Sequence, residues 1–291
     1  MKQTRFRSIL FVPGNRSDML HKALISEADA IMPDMEDSVR DEDKASARDQ
    51  IHQELDQLVA SGKPIIPRIN SLPTGLTSED IAAVMHPGVW MISVGKMNAV
   101  EDLLAVDAML ASAEKKSGLP LGHTGILPWL ETARSLLHPD MLLSASSRVQ
   151  VCAFGADDFA ADMGVLRSSD FRQTAWVKAH IALAARATGV WLMDSPCTHF
   201  RDLSPLNLEI EEARMLGFRG KFAIHPAQLD AINKGFCPPP GEVGKARQIM
   251  DAWNRAPSGQ GAINFEGVMV DEPLVKQCLQ IIAQAEQFDV K

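Results

Sequence analysis

Acidic residues directly follow two consecutive predicted strands, where they could hold a metal ion. The apolar run Gly125–Leu130 is followed by Glu131, and the apolar run at residues 149–154 is followed shortly by Asp157 and Asp158. Apolar runs of this kind are typical of strands buried on both faces of a parallel sheet. Because parallel strands of a barrel end at the same edge, Glu131 and Asp158 are expected side by side there. Carboxylate oxygens are the hard ligands that Mg²⁺ prefers.

A structural interpretation of the same acids is equally open. Acidic side chains are favoured in the first turn of a helix, so Glu131 and Asp157 could simply begin helices. The two loops alone do not separate this interpretation from a metal site.

Polar side chains also follow most of the other predicted strands. The full set is Asp34, Glu36, Asp37, Arg68, Lys96, Glu131, Asp158, Asp194 and His225. Its chemistry combines carboxylates for a divalent cation with an arginine that can bind a carboxylate or a developing oxyanion. Lys96 could form a Schiff base or act as a plain charge, and His225 could be a core histidine. The sequence leaves the roles of Lys96, Asp37, Asp194 and His225 open.

Several familiar motifs are absent. The sequence has no G-x-S-x-G and no H-E-x-x-H, which argues against nucleophilic and zinc-dependent hydrolysis. It has neither G-x-G-x-x-G nor G-x-x-x-x-G-K-[ST], so dinucleotide and P-loop binding lose their main support.

Composition indicates an ordinary globular protein. The 291 residues are 46% hydrophobic and 23% charged, with a net charge of -8. An acidic chain of this kind argues against general binding to nucleic acid or to an anionic membrane. The four cysteines are far apart in sequence, which favours a reducing compartment over a disulfide framework. The apolar run at residues 9–12 is too short for a signal peptide, so a cytoplasmic location is expected.

Strand and helix patterns alternate eight times along the chain. The predicted strands lie at residues 8–12, 29–32, 64–69, 89–94, 125–130, 149–154, 190–193 and 221–224. Short connections between such units predict a closed (β/α)₈ TIM barrel over residues 1–237. Asn15 or Ser17 is expected to cap the first helix. The prolines at 238–240 predict a stiff joint, followed over residues 238–291 by a C-terminal helical extension that acts as a lid or interface.

Seven ordered segments together resemble one family. They are RSILFVPG (7–14), ADAIMPDMEDSV (28–39), PRIN (67–70), ILPWLET (126–132), FGADDF (154–159), GKFAIHPAQ (220–228) and MVDEP (269–273). This set is similar to the HpcH/HpaI aldolase and citrate lyase β-subunit-like family, whose members are (β/α)₈ barrels. The resemblance implies Mg²⁺-dependent cleavage or formation of a C–C bond in β-hydroxyacyl-CoA esters such as malyl-, citramalyl- or citryl-CoA.

The resemblance also implies roles for individual residues. Glu131 and Asp158 match the family's metal ligands, which leaves Asp157 beside the metal site. Arg68 matches the arginine that holds the acyl oxygens, and it is the candidate to stabilise the enolate formed on cleavage.

Three further residues match the family's substrate contacts. Arg16 and Lys22 fall where the family binds CoA phosphates, although two solvated surface cations would look the same. Asp271 matches the aspartate that reaches a neighbouring subunit's site as an acid or base, which implies a homotrimer or another homo-oligomer.

The sequence departs from the family pattern at two places, and two alternative activities stay open. The sequence has Gly95-Lys96 where the family has P-K, and Gly267-Val268-Met269 where it has G-K-M. These changes leave the identity of the acyl group open. The alternatives are a malate-synthase-like or acyl-CoA thioesterase activity, and a citrate lyase β-like subunit that acts on an acyl carrier partner.

Overall fold

Eight parallel strands form the barrel in the computed structural model, which describes residues 6–168, 172–256 and 261–288. Each strand pairs with the next one along the chain, and β8 pairs with β1 to close the sheet. The strands are β1 Ser8–Pro13, β2 Ala30–Asp34, β3 Arg68–Ile69, β4 Met91–Val94, β5 Gly125–Leu130, β6 Val151–Phe154, β7 Trp191–Asp194 and β8 Gly220–Ala223. The predicted TIM barrel is therefore confirmed.

Helices follow the strands and cover the outside of the sheet. They are α1 Ser17–Leu24, α2 Lys44–Ala60, α3 Thr77–Val84, α4 Val100–Lys116, α5 Ala133–Leu137, α6 Pro139–Ser144, α7 Ala156–Asp162, α8 Arg172–Thr188, α9 Ser204–Leu216 and α10 Leu229–Gly235. No helix in the described part of the chain is long and apolar enough to cross a lipid bilayer.

Aromatic rings pack together inside the barrel. Trp129 on β5 lies 4.5 Å from Phe222 on β8 and 5.8 Å from Phe11 on β1, measured between ring centroids. The Trp129 indole N–H donates a hydrogen bond to Ser93 on β4, so its one polar atom is satisfied. These rings join strands from opposite sides of the barrel into one core.

Two local expectations are wrong. The third strand was expected over residues 64–69, but only Arg68–Ile69 is strand, because Pro64 and Pro67 have no N–H to donate to the ladder. Helix α1 has Arg16 as its N-cap with no side-chain cap hydrogen bond, so neither Asn15 nor Ser17 caps it.

Asp194 ends β7 but does not face the mouth of the barrel. Its carboxylate is buried and contacts the ammonium groups of Lys221 on β8, at 2.6 Å, and Lys178 on α8, at 3.1 Å. Lys178 continues to Glu212 and Lys221 to Glu209, both on α9. Burial alone would raise the pKa of Asp194, but the two lysines outweigh it and hold this pKa below its ordinary value. This network attaches the last two strands to their helices.

Residues 234–288 form a second compact unit, as far as they are described. It contains the end of α10, helix α11 (Pro240–Arg255), an antiparallel hairpin of β9 (Ala262–Phe265) and β10 (Val268–Asp271), and helix α12 (Glu272–Gln287). Pro240 begins α11, where its missing N–H costs no hydrogen bond, so the expected proline joint is partly helix. The boundary lies between Asn233 and Lys234.

We expect Asp194→Asn to lower the free energy of unfolding by about 3–5 kcal/mol, because it leaves two buried lysines without their shared carboxylate. The pKa of Asp194 is lower in the folded state, so its contribution is present at neutral pH and is lost as the pH falls through this pKa. Denaturant unfolding at several pH values measures this. The wild-type advantage should shrink below the ordinary Asp pKa of 3.8.

Glu211→Gln on the exposed side of α9 is the matched control and should change stability little. An Asp194→Asn protein as stable as the wild type at neutral pH would contradict the structural role of this network.

Candidate active site

A cavity of about 220 Å³ opens at the carboxyl ends of the barrel strands. Residues from seven strands or the loops that follow them line it, and they include most of the acidic residues predicted to lie there. The lining residues are Phe11, Asp34, Asp37, Ser38, Arg68, Trp129, Glu131, Gly155, Ala156, Asp157, Asp158, Pro196 and Ile224. This is the end of a TIM barrel at which active sites are built.

Two glycines make room for the Glu131 carboxylate. Glu131 directly follows β5 and is buried, and its Oε1 accepts a hydrogen bond of 2.6 Å from the Lys96 backbone N–H. A side chain at Gly155, directly after β6, would collide with this carboxylate, and one at Gly95, directly after β4, would come within 3.0 Å of it. The absence of side chains at Gly95 and Gly155 therefore allows a buried carboxylate between β4 and β6.

Asp158 lies beside Glu131 because β5 and β6 are paired neighbours. It is in the first turn of α7 and lines the same cavity. Burial raises the pKa of Glu131 to about 8, and the Asp158 carboxylate adds to the rise. The pKa of Asp158 is also raised, by burial and by Asp37. The two carboxylates together hold more negative charge than the nearby cations compensate.

This pair fits a divalent cation such as Mg²⁺. Among the described residues, no cluster of three or more His, Cys, Asp and Glu side chains forms a complete metal cage. Mg²⁺ is commonly held by one or two carboxylates and takes its other ligands from water and substrate. Glu131 and Asp158 could supply such a donor set, and a cation there would offset both the burial and the Asp158 repulsion that raise the pKa of Glu131.

Arg68 is fixed in the same cavity by Asp34. Its Nε and Nη2 donate hydrogen bonds of 2.7 and 2.6 Å to the two carboxylate oxygens of Asp34, at the end of β2. Its Nη1 lies 3.1 Å from Asp37 and 3.4 Å from Glu36. The guanidinium also lies over the Phe11 ring, 4.7 Å from its centroid. A bidentate carboxylate and an aromatic face therefore hold Arg68 in one orientation.

Lys96 contacts the acidic side of the cavity from behind. Its backbone has a φ of 56°, a left-handed conformation that costs free energy outside glycine, and this turns its N–H towards Glu131. Its ammonium group lies 3.1 Å from Asp37 and 3.4 Å from Glu36. Burial would lower the pKa of Lys96, but these carboxylates raise it above its ordinary value. A Schiff base needs the neutral amine, so the contacts favour the plain charge role.

Sequence reasoning did not identify Arg167. Its Nη1 donates a hydrogen bond of 2.8 Å to Asp157, and its Nη2 lies 3.3 Å from Glu209 on α9. It thus ties the loop after β6 to the helix layer. No motif in the sequence predicts this contact. His225, whose role was open, accepts a hydrogen bond from the Ala227 N–H through Nδ1 and caps a short 3₁₀ turn.

The predicted CoA-binding cations lie at the two ends of α1, Arg16 at its N-cap and Lys22 in its last turn, outside the cavity lining. Arg16 and Lys22 are exposed, and both contact the carboxylate of Asp18, at 3.1 and 3.5 Å. The hydrogen bond from Arg16 is the largest cause that lowers the pKa of Asp18. The two cations therefore form one small patch around Asp18 that spans nearly two turns of the helix.

Asp271 belongs to the second unit. It ends β10, and its Oδ1 accepts a hydrogen bond of 3.3 Å from the Leu274 N–H, which makes it the N-cap of α12. One oxygen of the Asp271 carboxylate is therefore engaged in capping α12.

Comparison with known proteins identifies the family of this chain. The family model for HpcH/HpaI aldolase/citrate lyase matches residues 7–226. The citrate lyase subunit beta of Leuconostoc mesenteroides subsp. cremoris is 31% identical over 280 residues, which cover 96% of this chain and 93% of that protein. The L-malyl-CoA/beta-methylmalyl-CoA lyase of Cereibacter sphaeroides is 32% identical over 306 residues, covering 97% and 95%.

A solved structure supports the same fold. The CitE protein of Mycobacterium tuberculosis, in complex with magnesium, acetoacetate and coenzyme A, superposes with a TM-score of 0.78 at 24% sequence identity. The match covers 98% of this chain and 99% of that one. On the family match and the two relatives, this chain belongs to the HpcH/HpaI aldolase/citrate lyase family of carbon–carbon lyases.

Proposed function

We propose that this enzyme cleaves, or in reverse forms, a C–C bond of a β-hydroxyacyl-CoA ester in a Mg²⁺-dependent reaction. The observation that carries the proposal is the pair Glu131 and Asp158, which two neighbouring strands bring to one cavity together with Arg68. The CoA-ester lyase among the relatives and the magnesium and coenzyme A in the CitE complex agree with it.

Glu131 and Asp158 would hold the metal ion on the substrate's hydroxy acid side. A bound Mg²⁺ supplies Lewis-acid polarisation, which makes the substrate hydroxyl more acidic. Glu131 is the more deeply buried of the two, and its position between Gly95 and Gly155 leaves it little freedom to move. These two carboxylates therefore set where the hydroxy acid portion binds.

Arg68 would stabilise the charge that develops on the other half of the substrate. When the C–C bond breaks, its electron pair passes to the thioester half, whose oxygen becomes negative. Asp34 occupies Nε and Nη2 of Arg68, which leaves Nη1 as the group that faces the cavity beside Asp37. A positioned guanidinium of this kind stabilises an oxyanion without reorganising during the reaction.

Asp271 would complete the reaction by giving a proton to the carbon that the broken bond leaves behind. We propose that it does so in the site of a neighbouring subunit, and that the protein is a homotrimer or another homo-oligomer. Residues 238–291, as the lid or interface proposed from the sequence, would carry it there. Val268 and Met269, exposed on the strand that ends in Asp271, suit contact with a second chain.

Two rival activities are separated by simple assays. A malate-synthase-like or thioesterase reaction releases free CoA, whereas lyase cleavage leaves the CoA on the acyl product. A subunit that acts on an acyl carrier partner would not turn over an acyl-CoA ester alone. Release of a 2-oxo acid from an acyl-CoA ester, without free CoA, supports the proposed lyase.

Glu131→Gln and Asp158→Asn should each lower Mg²⁺-dependent turnover by more than about a hundredfold, because each removes a charge needed to hold a hard cation. Thermal unfolding checks that the fold is intact, and calorimetric titration measures the loss of Mg²⁺ affinity. Glu101→Gln on exposed α4 is the matched control and should behave as the wild type. Near-normal turnover in either variant would refute the metal assignment.

Arg16→Ala combined with Lys22→Ala should raise KM for the CoA ester and leave kcat nearly unchanged. Phosphate contacts far from the reacting carbon bind ground state and transition state alike. Steady-state kinetics checks this against Lys115→Ala combined with Lys116→Ala, two exposed lysines in the last turn of α4. A fall in kcat at constant KM would show that this patch does not bind the CoA phosphates.

Mixing two inactive variants tests where Asp271 acts. Asp271→Ala and Glu131→Gln proteins are dissociated, mixed and reassociated. If sites are shared between chains, some sites of mixed oligomers combine an intact Glu131 with an intact Asp271, and activity returns. If proven mixed oligomers stay inactive, Asp271 does not act across subunits.

A further inference from the structure

Three apolar residues of the cavity come from one continuous part of the barrel. Phe11 lies on β1, Pro196 follows β7 and Ile224 follows β8, and these three strands are neighbours because β8 pairs with β1. We call Phe11, Pro196 and Ile224 the apolar arc. Trp129 packs against Phe11 and extends this apolar surface into the barrel.

The carboxylates of the cavity come from other strands. Asp34 and Asp37 are at or after the end of β2, Glu131 follows β5, and Asp157 and Asp158 follow β6. These five form the acidic arc. The metal ion proposed above would bind within the acidic arc. A substrate held by this ion would have its remaining substituents near the acidic arc and the apolar arc.

The positive charge in the cavity lining is already paired with carboxylates. Arg68 is the one cation among the described lining residues, and Asp34 takes two of its nitrogens. Behind the lining, Lys96 contacts Asp37 and Arg167 contacts Asp157. The lining therefore presents five carboxylates against one guanidinium, and no cation in it lacks a carboxylate partner.

This distribution of charge makes the number of carboxylates on the substrate important. The first carboxylate of a hydroxy acid can share the metal ion with Glu131 and Asp158. A second carboxylate would meet either the apolar arc, where it loses hydration without a partner, or the acidic arc, where like charges repel it. A hydrogen or a methyl group in the same place would lie against Phe11 and Ile224 at no such cost.

We propose that this site selects β-hydroxyacyl-CoA esters whose hydroxy acid portion carries one carboxylate and only hydrogen or a small apolar substituent beside it. The inference rests on the proposed function and narrows it. In the reaction, the bond between the hydroxyl-bearing carbon and the thioester's α-carbon breaks. The hydroxyl proton leaves as the 2-oxo group forms, and the α-carbon takes the electron pair and a proton. The 2-oxo acid product then has one carboxylate, as glyoxylate and pyruvate do, and not two, as oxaloacetate does.

Ile224 is the residue of the apolar arc best placed to test this selection. Its side chain is 41% exposed, so a longer side chain has space there. Its backbone N–H donates a hydrogen bond of 2.9 Å to the Gln228 side chain, which fixes the loop independently of the residue at this position. A cation introduced at residue 224 would face the space assigned to the substituent.

The experiment compares kcat/KM, with Mg²⁺, for three CoA esters that release glyoxylate, pyruvate and oxaloacetate. In the wild type, the ester that releases oxaloacetate should be cleaved at least about tenfold less efficiently than the better of the other two, since a charged group left without a partner costs at least that much in a site. Ile224→Arg should reduce this ratio by about tenfold or more. Equal or better cleavage of the two-carboxylate ester by the wild type would overturn the inference.

Two control variants separate a local charge from other effects. Ile224→Met keeps an uncharged side chain of similar size and should keep the wild-type ratio. Ile25→Arg adds the same charge at a residue that is 88% exposed after α1, and it should also keep the ratio. A shift of the ratio in Ile25→Arg equal to that in Ile224→Arg would contradict selection by the cavity.

A binding measurement makes the test independent of turnover and of how Ile224→Arg folds. With wild-type protein and Mg²⁺, calorimetry should show that pyruvate or glyoxylate binds at least about tenfold more tightly than oxaloacetate. Tighter binding of oxaloacetate would overturn the inference. If none of the three esters is cleaved, the proposed function fails, and the binding order still decides between one and two carboxylates.

Discussion

The buried carboxylate of Glu131 is the constraint on which the rest of the site depends. A glutamate at the end of a barrel strand, next to a second carboxylate, is costly, and this cost is visible in its raised pKa of about 8. The protein accommodates it with Gly95 and Gly155, directly after the two adjacent strands, and with the N–H of Lys96, which is held in a left-handed conformation. Three neighbouring strands are therefore committed to one oxygen-rich position, which is understandable if a cation occupies it.

Arg68, on the other side of the site, is held in place by attractive contacts. Arg68 has many partners, and each one limits its orientation: Asp34 through two hydrogen bonds, Phe11 through its ring, and Asp37 and Glu36 through their charge. The carboxylates of Glu131 and Asp158 and the strongly held guanidinium of Arg68 follow or lie on different strands of one barrel. The distance between them is therefore set by the sheet and not by flexible side chains, as preorganised catalysis requires.

The fold and the meeting of Glu131 with Asp158 could be predicted because both follow from local patterns. Apolar runs followed by polar residues repeat along the chain, and parallel pairing places the ends of successive strands together.

Contacts between distant residues could not be predicted in this way. Asp194 was grouped with the mouth because it ends a strand, but its partners Lys178 and Lys221 are far away in sequence and draw it into the helix layer. The same holds for Arg167, whose partner Glu209 lies on α9. The hairpin of β9 and β10 was missed because its two-residue turn places Glu266, with a φ of 52°, where such turns usually have Asn or Asp.

Closure of the barrel between β1 and β8 determines when the protein can finish folding during its synthesis. The ribosome releases the chain from its amino terminus, so the segment with Glu131 and Asp158 emerges well before Phe222 and Ile224. Phe11 is synthesised before β8, yet its ring cannot stack on Phe222 until β8 has left the exit tunnel. The apolar side of the cavity, which includes Ile224, therefore cannot be completed before β8 is available. Folding of this barrel on the ribosome is therefore expected to finish only after β8 has been synthesised and has paired with β1.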